Sequence, residues 1–248
     1  MSIIKSPIQY YNNIQLEYFS QRIKKTMVPV NSAYVNRQVD ELIAASGMRR
    51  TDRILDVGCG MGKYTLNLLA KGYKVEGLDL NPFLLQQLLR YNDNRFPVKL
   101  HLADIIEAPE ELNEQYDVII GFMVLHHLHI LHTCFQSMYR LLKPGGKIIF
   151  LEPNPLNPLF HVQIWFTPGM SYAGEKGLKD MTKKKLFSSL EFAGFAGMQI
   201  QRFGLLPPAL YNKPVGGKLD QGFSKIKPLS PLMAFQLISA TKPIDQHG

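Results

Sequence analysis

The stretch Ile54-Leu55-Asp56-Val57-Gly58-Cys59-Gly60-Met61-Gly62-Lys63-Tyr64-Thr65 decides how the rest of the chain is read. An apolar run of strand length enters a Gly-x-Gly-x-Gly turn, and a helix leaves it. Glycine has no Cβ, so such a turn reaches backbone angles closed to other residues and lets a ligand lie against the main chain. The free amides of the new helix favour anionic or strongly polar ligand groups. Two familiar nucleotide loops are excluded by the residues themselves. A dinucleotide fingerprint, Gly-x-Gly-x-x-Gly, needs glycine where the chain has Lys63. A phosphate loop ending at Gly62-Lys63 needs glycine at 57 and Ser or Thr at 64, which are Val57 and Tyr64. Lys63 is therefore expected on a helix surface, and Cys59 as a small buried filler.

Further apolar runs follow at Lys74–Leu78, Val98–Leu102, Asp117–Gly121 and Lys147–Leu151, each bounded by Gly, Asp or Pro. Short runs rich in Val, Ile and Leu suit strands covered on both faces. Between them lie helical signatures. Asn81 and Pro82 offer an N-cap and a first-turn proline, followed by a stripe of Leu84, Leu85, Leu88 and Leu89. Leu141-Leu142 closes another helix, which Lys143-Pro144-Gly145-Gly146 stops before the next strand. Strand and helix in alternation predict a doubly wound, Rossmann-like α/β domain with a mostly parallel sheet and right-handed crossovers. The pattern breaks at residues 153–182, rich in proline and aromatic residues, and resumes at Thr182, a plausible N-cap. Met198–Phe203 and Ala234–Ala240 read as closing strands. The expectation is one domain over 1–248. A helical segment at 1–37 and insertions at 153–182 and 204–231 form a cap over the substrate.

ILDVGCGMGKYT resembles motif I of the class I S-adenosylmethionine-dependent methyltransferases, and further segments resemble that family in order. VEGLDLNP (75–82) is similar to its second-strand motif, HLADI (101–105) to its third, and YDVIIGFMVLHHL (116–128) to its fourth. LLKPGGKIIFLEP (141–153) is similar to the turn and strand that follow, and FQLISATKP (235–243) to the last strand, so the resemblance implies seven strands with the last antiparallel. It also implies S-adenosylmethionine as methyl donor, S-adenosylhomocysteine as product, and a set of contacts. Asp79, which follows Asp56 at close to the roughly 20-residue interval that sets an acid opposite a ribose, accepts from the sugar hydroxyls. Asp104 accepts from the adenine amino group, with Ile105 and Leu80 packed on either side of the ring. Gly58 and Gly60 admit the methionine portion, Asp56 orients the loop, and Gly121 and Phe122 offer main-chain groups near the ligand amine.

Displacement at a sulfonium methyl needs the nucleophile held in line and water kept out. A base is required only when the acceptor is protonated. His126 and His127, just beyond the fourth strand, are the candidate bases, since imidazole titrates near neutral pH. Glu152 and His161 are weaker candidates. His126, His129 and His132 recur every third residue, but no carboxylate or cysteine completes a set, so no metal is expected. At the fourth strand end Gly121-Phe122-Met123-Val124 stands where enzymes methylating adenine or glutamine amines carry Asp/Asn-Pro-Pro-Tyr. Aromatic residues in the cap (Tyr10, Tyr11, Tyr18, Phe19, Phe160, Trp165, Phe166, Tyr172 and Tyr211) favour a small, apolar or aromatic metabolite, methylated most simply at oxygen or carbon.

Composition bounds the alternatives. Hydrophobic residues make up 46% and charged residues 19% of 248, a globular balance that excludes a disordered chain. The longest apolar run, Val118–Leu125, falls far short of the roughly 20 residues that span a bilayer. Two cysteines, Cys59 and Cys134, exclude a disulfide framework, and the expectation is a cytoplasmic protein. The net charge of +8 keeps open an RNA-modifying methyltransferase as the second reading, which would gather basic side chains around the cofactor mouth.

Overall fold

Along the central strands successive side chains alternate between two apolar cores, as a strand buried on both faces must. Leu55, Val57, Ile119, Ile148 and Phe150 enter one core, while Ile54, Val118, Ile120, Ile149 and Leu151 enter the other. The computed structural model describes residues 7–20, 23, 26–158, 160 and 175–244, the side chains of 7–11 and 20 excepted. Seven strands form one sheet: β1 (Arg53–Val57), β2 (Lys74–Asp79), β3 (Leu100–Leu102), β4 (Tyr116–Phe122), β5 (Leu142–Pro153), β6 (Ala196–Phe203) and β7 (Phe235–Thr241). Their order is β3-β2-β1-β4-β5-β7-β6. Neighbours from β3 to β5 pair in parallel, and β7 runs antiparallel to both β5 and β6. This is the doubly wound sheet that the strand–helix alternation predicts, with its last strand reversed.

The helices are α1 (Pro7–Ser20), α2 (Ala33–Ser46), α3 (Thr65–Ala70), α4 (Pro82–Asn92), α5 (Leu131–Leu141), α6 (Lys183–Phe192), α7 (Pro208–Tyr211) and α8 (Gly216–Ser224). Phe135 and Met138 of α5 and Leu186 and Leu190 of α6 cover one face of the sheet, and Val39 and Leu42 of α2 with Leu68 of α3 cover the other. Asn81 caps α4 as expected, accepting from the amides of Phe83 and Leu84, with Pro82 in the first turn. Leu84, Leu85 and Leu88 are buried, but Leu89 points to solvent, so the expected stripe is narrower by one residue.

Two boundaries differ from the sequence reading. Residue 37 lies inside α2, whose Val39 and Leu42 belong to the sheet packing, so the N-terminal segment ends with that helix rather than before it. Lys143-Pro144-Gly145-Gly146 is no separate turn: β5 begins at Leu142, paired to Tyr116, and the four residues form an irregularity within the strand. Gly145 there has φ +77°, and a Cβ on Gly146 would meet the Lys143 carbonyl oxygen at 2.8 Å. The insertion at 153–182 carries His161, Trp165, Phe166 and Tyr172, which lie outside the described residues, as do the side chains of Tyr10 and Tyr11.

The chain order reverses at β1, which is flanked by β2 on one side and β4 on the other. A crevice opens outside the carboxyl ends of the strands at such a reversal, and loops from several strands converge on it. Gly121, at the end of β4, shows how tightly that edge is packed. A Cβ there would lie 2.4 Å from Phe150 Cε1 and 2.7 Å from Val124 Cγ1. Gly121→Ala is expected to cost about 1–3 kcal/mol of overpacking, read as a lower urea midpoint; an unchanged midpoint would show that β4 has room to spare.

Candidate active site

The loop after β1 is held by β2. The amides of Gly58 and Cys59 both donate to the Leu78 carbonyl, at 2.7 and 3.2 Å, and the Gly60 amide donates to Asp79 Oδ2 at 2.8 Å. Gly58 has no alternative: its φ is +69°, and a Cβ would sit 2.2 Å from Val124 Cγ2. Gly60, at φ +53°, faces a cavity of about 880 Å³ that runs from this loop to the apolar insertion after β6. Asp79 Oδ1 accepts from the Asn81 amide at 2.8 Å, so one carboxylate braces the glycine loop and the start of α4 together.

Two buried acids sit side by side here. Asp56 Oδ2 accepts the Thr65 hydroxyl at 2.6 Å, which ties the end of β1 to the first residue of α3. Burial pushes the Asp56 carboxyl up to about 7, with the Thr65 hydrogen bond opposing and the Asp79 charge adding to the rise. Burial likewise raises Asp79 to about 6, against the pull of the Asn81 and Gly60 amides. Leu80, Ile105 and Phe122 all line the cavity. The Phe122 ring stacks on Tyr64 at 4.0 Å, and the Tyr64 hydroxyl donates to Gln38 of α2.

Asp104, expected to receive an amino group, already has one. Its Oδ1 accepts from the Ile106 amide at 3.0 Å, and its Oδ2 accepts from the Asn12 side-chain amide of α1 at 2.6 Å. The same helix reaches the far wall of the cavity, where the Tyr18 hydroxyl donates to Glu175 at 3.3 Å and the Phe19 ring meets His127 edge-on at 5.0 Å. Lys63 departs from the sequence reading: it is no free surface lysine but lines the cavity, donating to the Thr26 carbonyl at 2.9 Å. Burial lowers its ammonium to about 8.

The two histidines expected as bases differ sharply. His126 is buried with Nδ1 at 2.5 Å from Glu152 Oε2 and Nε2 at 3.1 Å from Glu175 Oε2. Glu152 Oε1 also accepts the amides of Val124 and Leu125, at 2.8 Å each. Burial alone would lower the His126 imidazolium; the charge and hydrogen bond of Glu152, then those of Glu175, reverse this and raise it to about 9. Both ring nitrogens carry protons in that state, so His126 has no lone pair to offer. His127 is half-buried in the cavity wall, beside Phe19. Glu175, which no local motif marks, is brought in by a turn at 176–180 whose Gly177 lies against the His126 carbonyl; a Cβ there would be 1.9 Å from that oxygen. His126, His127 and Glu175 offer atoms within 4.8 Å of one another, but the ion pairs of His126 already account for its place. His129 lies outside helix, and His132 packs on Phe192, so the three-residue recurrence makes no single face.

Comparison with known proteins bears on this site. Residues 30–197 match the family described as "Methyltransferase domain". A ubiquinone biosynthesis O-methyltransferase of Pseudomonas savastanoi is 30% identical over 142 residues, 56% of this chain and 59% of that protein, so the match spans little more than half of the relative. An uncharacterized methyltransferase of Mycobacterium bovis is 30% identical over 142 residues, covering 55% of this chain and 70% of that one. Among solved structures, geranyl diphosphate C-methyltransferase from Streptomyces coelicolor, in complex with Mg2+, geranyl diphosphate and S-adenosyl-L-homocysteine, shares the fold with a TM-score of 0.64. It is 16% identical over 96% of this chain and 100% of that one. Among the described residues no helix is long and apolar enough to cross a membrane.

The buried ion pairs set a pH dependence. His126 titrates near 9 when folded, above the ordinary 6.5, so its contribution is complete below pH 6.5 and is lost as pH rises through 9. Asp56 acts in the same direction at lower pH, because an acid raised to about 7 penalises the folded state increasingly between pH 4 and 7. Urea unfolding is expected to show stability falling from pH 7 to 9.5. In Glu175→Gln, where the imidazolium keeps one carboxylate and its folded pKa drops, that fall should be smaller and end at lower pH. A profile identical in both proteins would remove Glu175 from the pair.

Proposed function

Since the chain belongs to the class I S-adenosylmethionine-dependent methyltransferases, matched over residues 30–197, we propose that it transfers a methyl group from S-adenosylmethionine to a small, apolar or aromatic metabolite. One observation carries this reading: a single cavity joins the Gly58–Gly60 loop and Asp79 to a wall built from Phe19, Leu128, Leu205, Leu206 and Phe235. The first end suits a polar nucleotide, and the second suits an apolar acceptor. The relative named for ubiquinone biosynthesis and the fold neighbour holding geranyl diphosphate accord with an acceptor carrying apolar carbon. The same cavity counts against RNA as substrate. Lys63 is the lysine in its described lining, against Asp79, Asp104 and Glu175, which is the wrong balance for a polyanion.

In this reading Asp79 accepts from the ribose hydroxyls, keeping one lone pair of each oxygen for the Gly60 and Asn81 amides. Asp104 takes the adenine amino group in place of the Asn12 amide, a donor of the same kind. Leu80 and Ile105 hold the ring, while the main chain at Gly58, Gly60, Gly121 and Phe122 meets the methionine end. The acceptor atom attacks the methyl carbon in line, the carbon–sulfur bond breaks toward sulfur, and S-adenosylhomocysteine is released. Where the acceptor is a hydroxyl or an acidic carbon, its proton passes to His127. His126, protonated on both nitrogens, holds the turn that presents His127 and is a positioning residue. Phe19 of the N-terminal segment and Leu205 and Leu206 at the start of the connection after β6 cover the acceptor, and the protein works in the cytoplasm.

Asp79→Ala is expected to weaken cofactor binding by about 1.5–3 kcal/mol, or roughly tenfold to a hundredfold in Kd, measured by calorimetry. His127→Ala should leave that affinity unchanged and slow turnover by about 10²-fold or more, as loss of a general base does. Transfer of labelled methyl into fractionated metabolites identifies the acceptor. Calorimetry that detects no cofactor association would end the reading.

A further inference from the structure

The connection from β6 to β7, residues 204–234, meets the cavity only at its ends, through Leu205, Leu206, Pro207 and Pro208 and through Ala234. The rest carries a pattern that neither cofactor nor acceptor explains. Helix α8 turns Gly216 and Asp220 inward, where the Asp220 carboxylate accepts the amides of Leu205 and Leu206 at 2.6 and 2.7 Å. At 3.6 residues per turn, this fixes the outward arc as that of Val215, Lys218 and Leu219, continued by Lys225 and Ile226 just past the helix end. Val215 is 62% and Leu219 53% exposed, and Leu210, Ile226 and Leu232 also stand in water. Lys213, Lys218, Lys225 and Lys227 are exposed among them. Asp220 is the segment's one acid, and it is buried.

An exposed apolar cluster and an excess of lysines are each unfavourable alone, and this connection carries both with no exposed acid of its own. A surface apolar beneath and anionic above relieves both. We propose that residues 204–232 dock this protein on an anionic lipid bilayer. The exposed Leu, Val and Ile enter the headgroup boundary and the four lysines meet acidic headgroups. RNA would engage the lysines and leave the apolar side chains in water. Those side chains are spread from 210 to 232 along the connection rather than gathered at one point of it. The docking stands without the methyl-transfer reading. Only its consequence rests on that reading: an apolar acceptor passes from the lipid to the cavity by way of Leu205 and Leu206.

The test is sedimentation of the full chain, without cofactor, with vesicles of phosphatidylcholine alone or with about one third phosphatidylglycerol. Partition is expected to be at least about tenfold stronger on the anionic vesicles and to fall steeply at high salt. Each lysine near such a surface contributes about fivefold, so Lys218→Glu combined with Lys225→Glu should weaken partition more than about tenfold. Val215→Asp with Leu219→Asp should weaken it too, with the melting temperature unchanged because both positions are exposed. Equal partition on both vesicles, or partition unmoved by either pair, overturns the proposal. So does binding of an RNA oligonucleotide that depends on the lysines and not on Val215 and Leu219, in a protein that ignores vesicles. Loss of methyl transfer in a preparation that still binds vesicles would count against the enzyme reading alone.

Discussion

A doubly protonated imidazole between two buried carboxylates joins the parts of this protein that do not otherwise share a strand or helix. His126 stands in the turn after β4, Glu152 at the end of β5, and Glu175 in the insertion between β5 and α6. Glu152 also binds the amides of Val124 and Leu125, so the turn is fixed at its backbone as well as at its side chain. Charges removed from water are costly unless each is paired and its remaining lone pairs are used. Here the arrangement meets both demands. The shape of the turn then fixes two other features. Val124 crowds Gly58 until only glycine fits, and His127 is turned to the cavity.

Much of the sheet was legible because its physics is local. The apolar run that enters the glycine turn is β1, and the alternation along Ile54–Leu55, Val118–Ile120 and Ile148–Leu151 follows from burial on two faces. Asn81-Pro82 carried its cap chemistry in two letters. Leu89 and the Lys143–Gly146 stretch were misread for a shared reason: local patterns cannot report which neighbours a third element supplies. The glycine loop and Asp79 could be found together because backbone geometry and a fixed interval constrain both. Glu175 could not, because its partner lies 49 positions earlier and only the tertiary fold brings them together. Asn12 carries no local signal and Lys63 reads as a surface lysine for the same reason, each acting through a contact with a distant segment.

The glycine-loop end of the cavity is held together by its own hydrogen bonds. Asp79 is fixed by two amides, Asp56 by a hydroxyl, and both acids sit above their ordinary range because water is excluded. Folding therefore bears the cost of desolvating these carboxylates, and a ligand that donates hydrogen bonds recovers part of it. The acceptor end has a different character, with aromatic and aliphatic walls supplied by elements outside the sheet. Rigid polar recognition and adaptable apolar recognition are thus divided between the strand ends and the connections that cover them.

Helix α1 touches both ends of the crevice, through Asn12 on Asp104 and Tyr18 on Glu175. It works as a lever with two points of attachment. Asp104 and the glutamate that steadies His126 are therefore held from one short helix. The two walls of the crevice are tied to each other by that span.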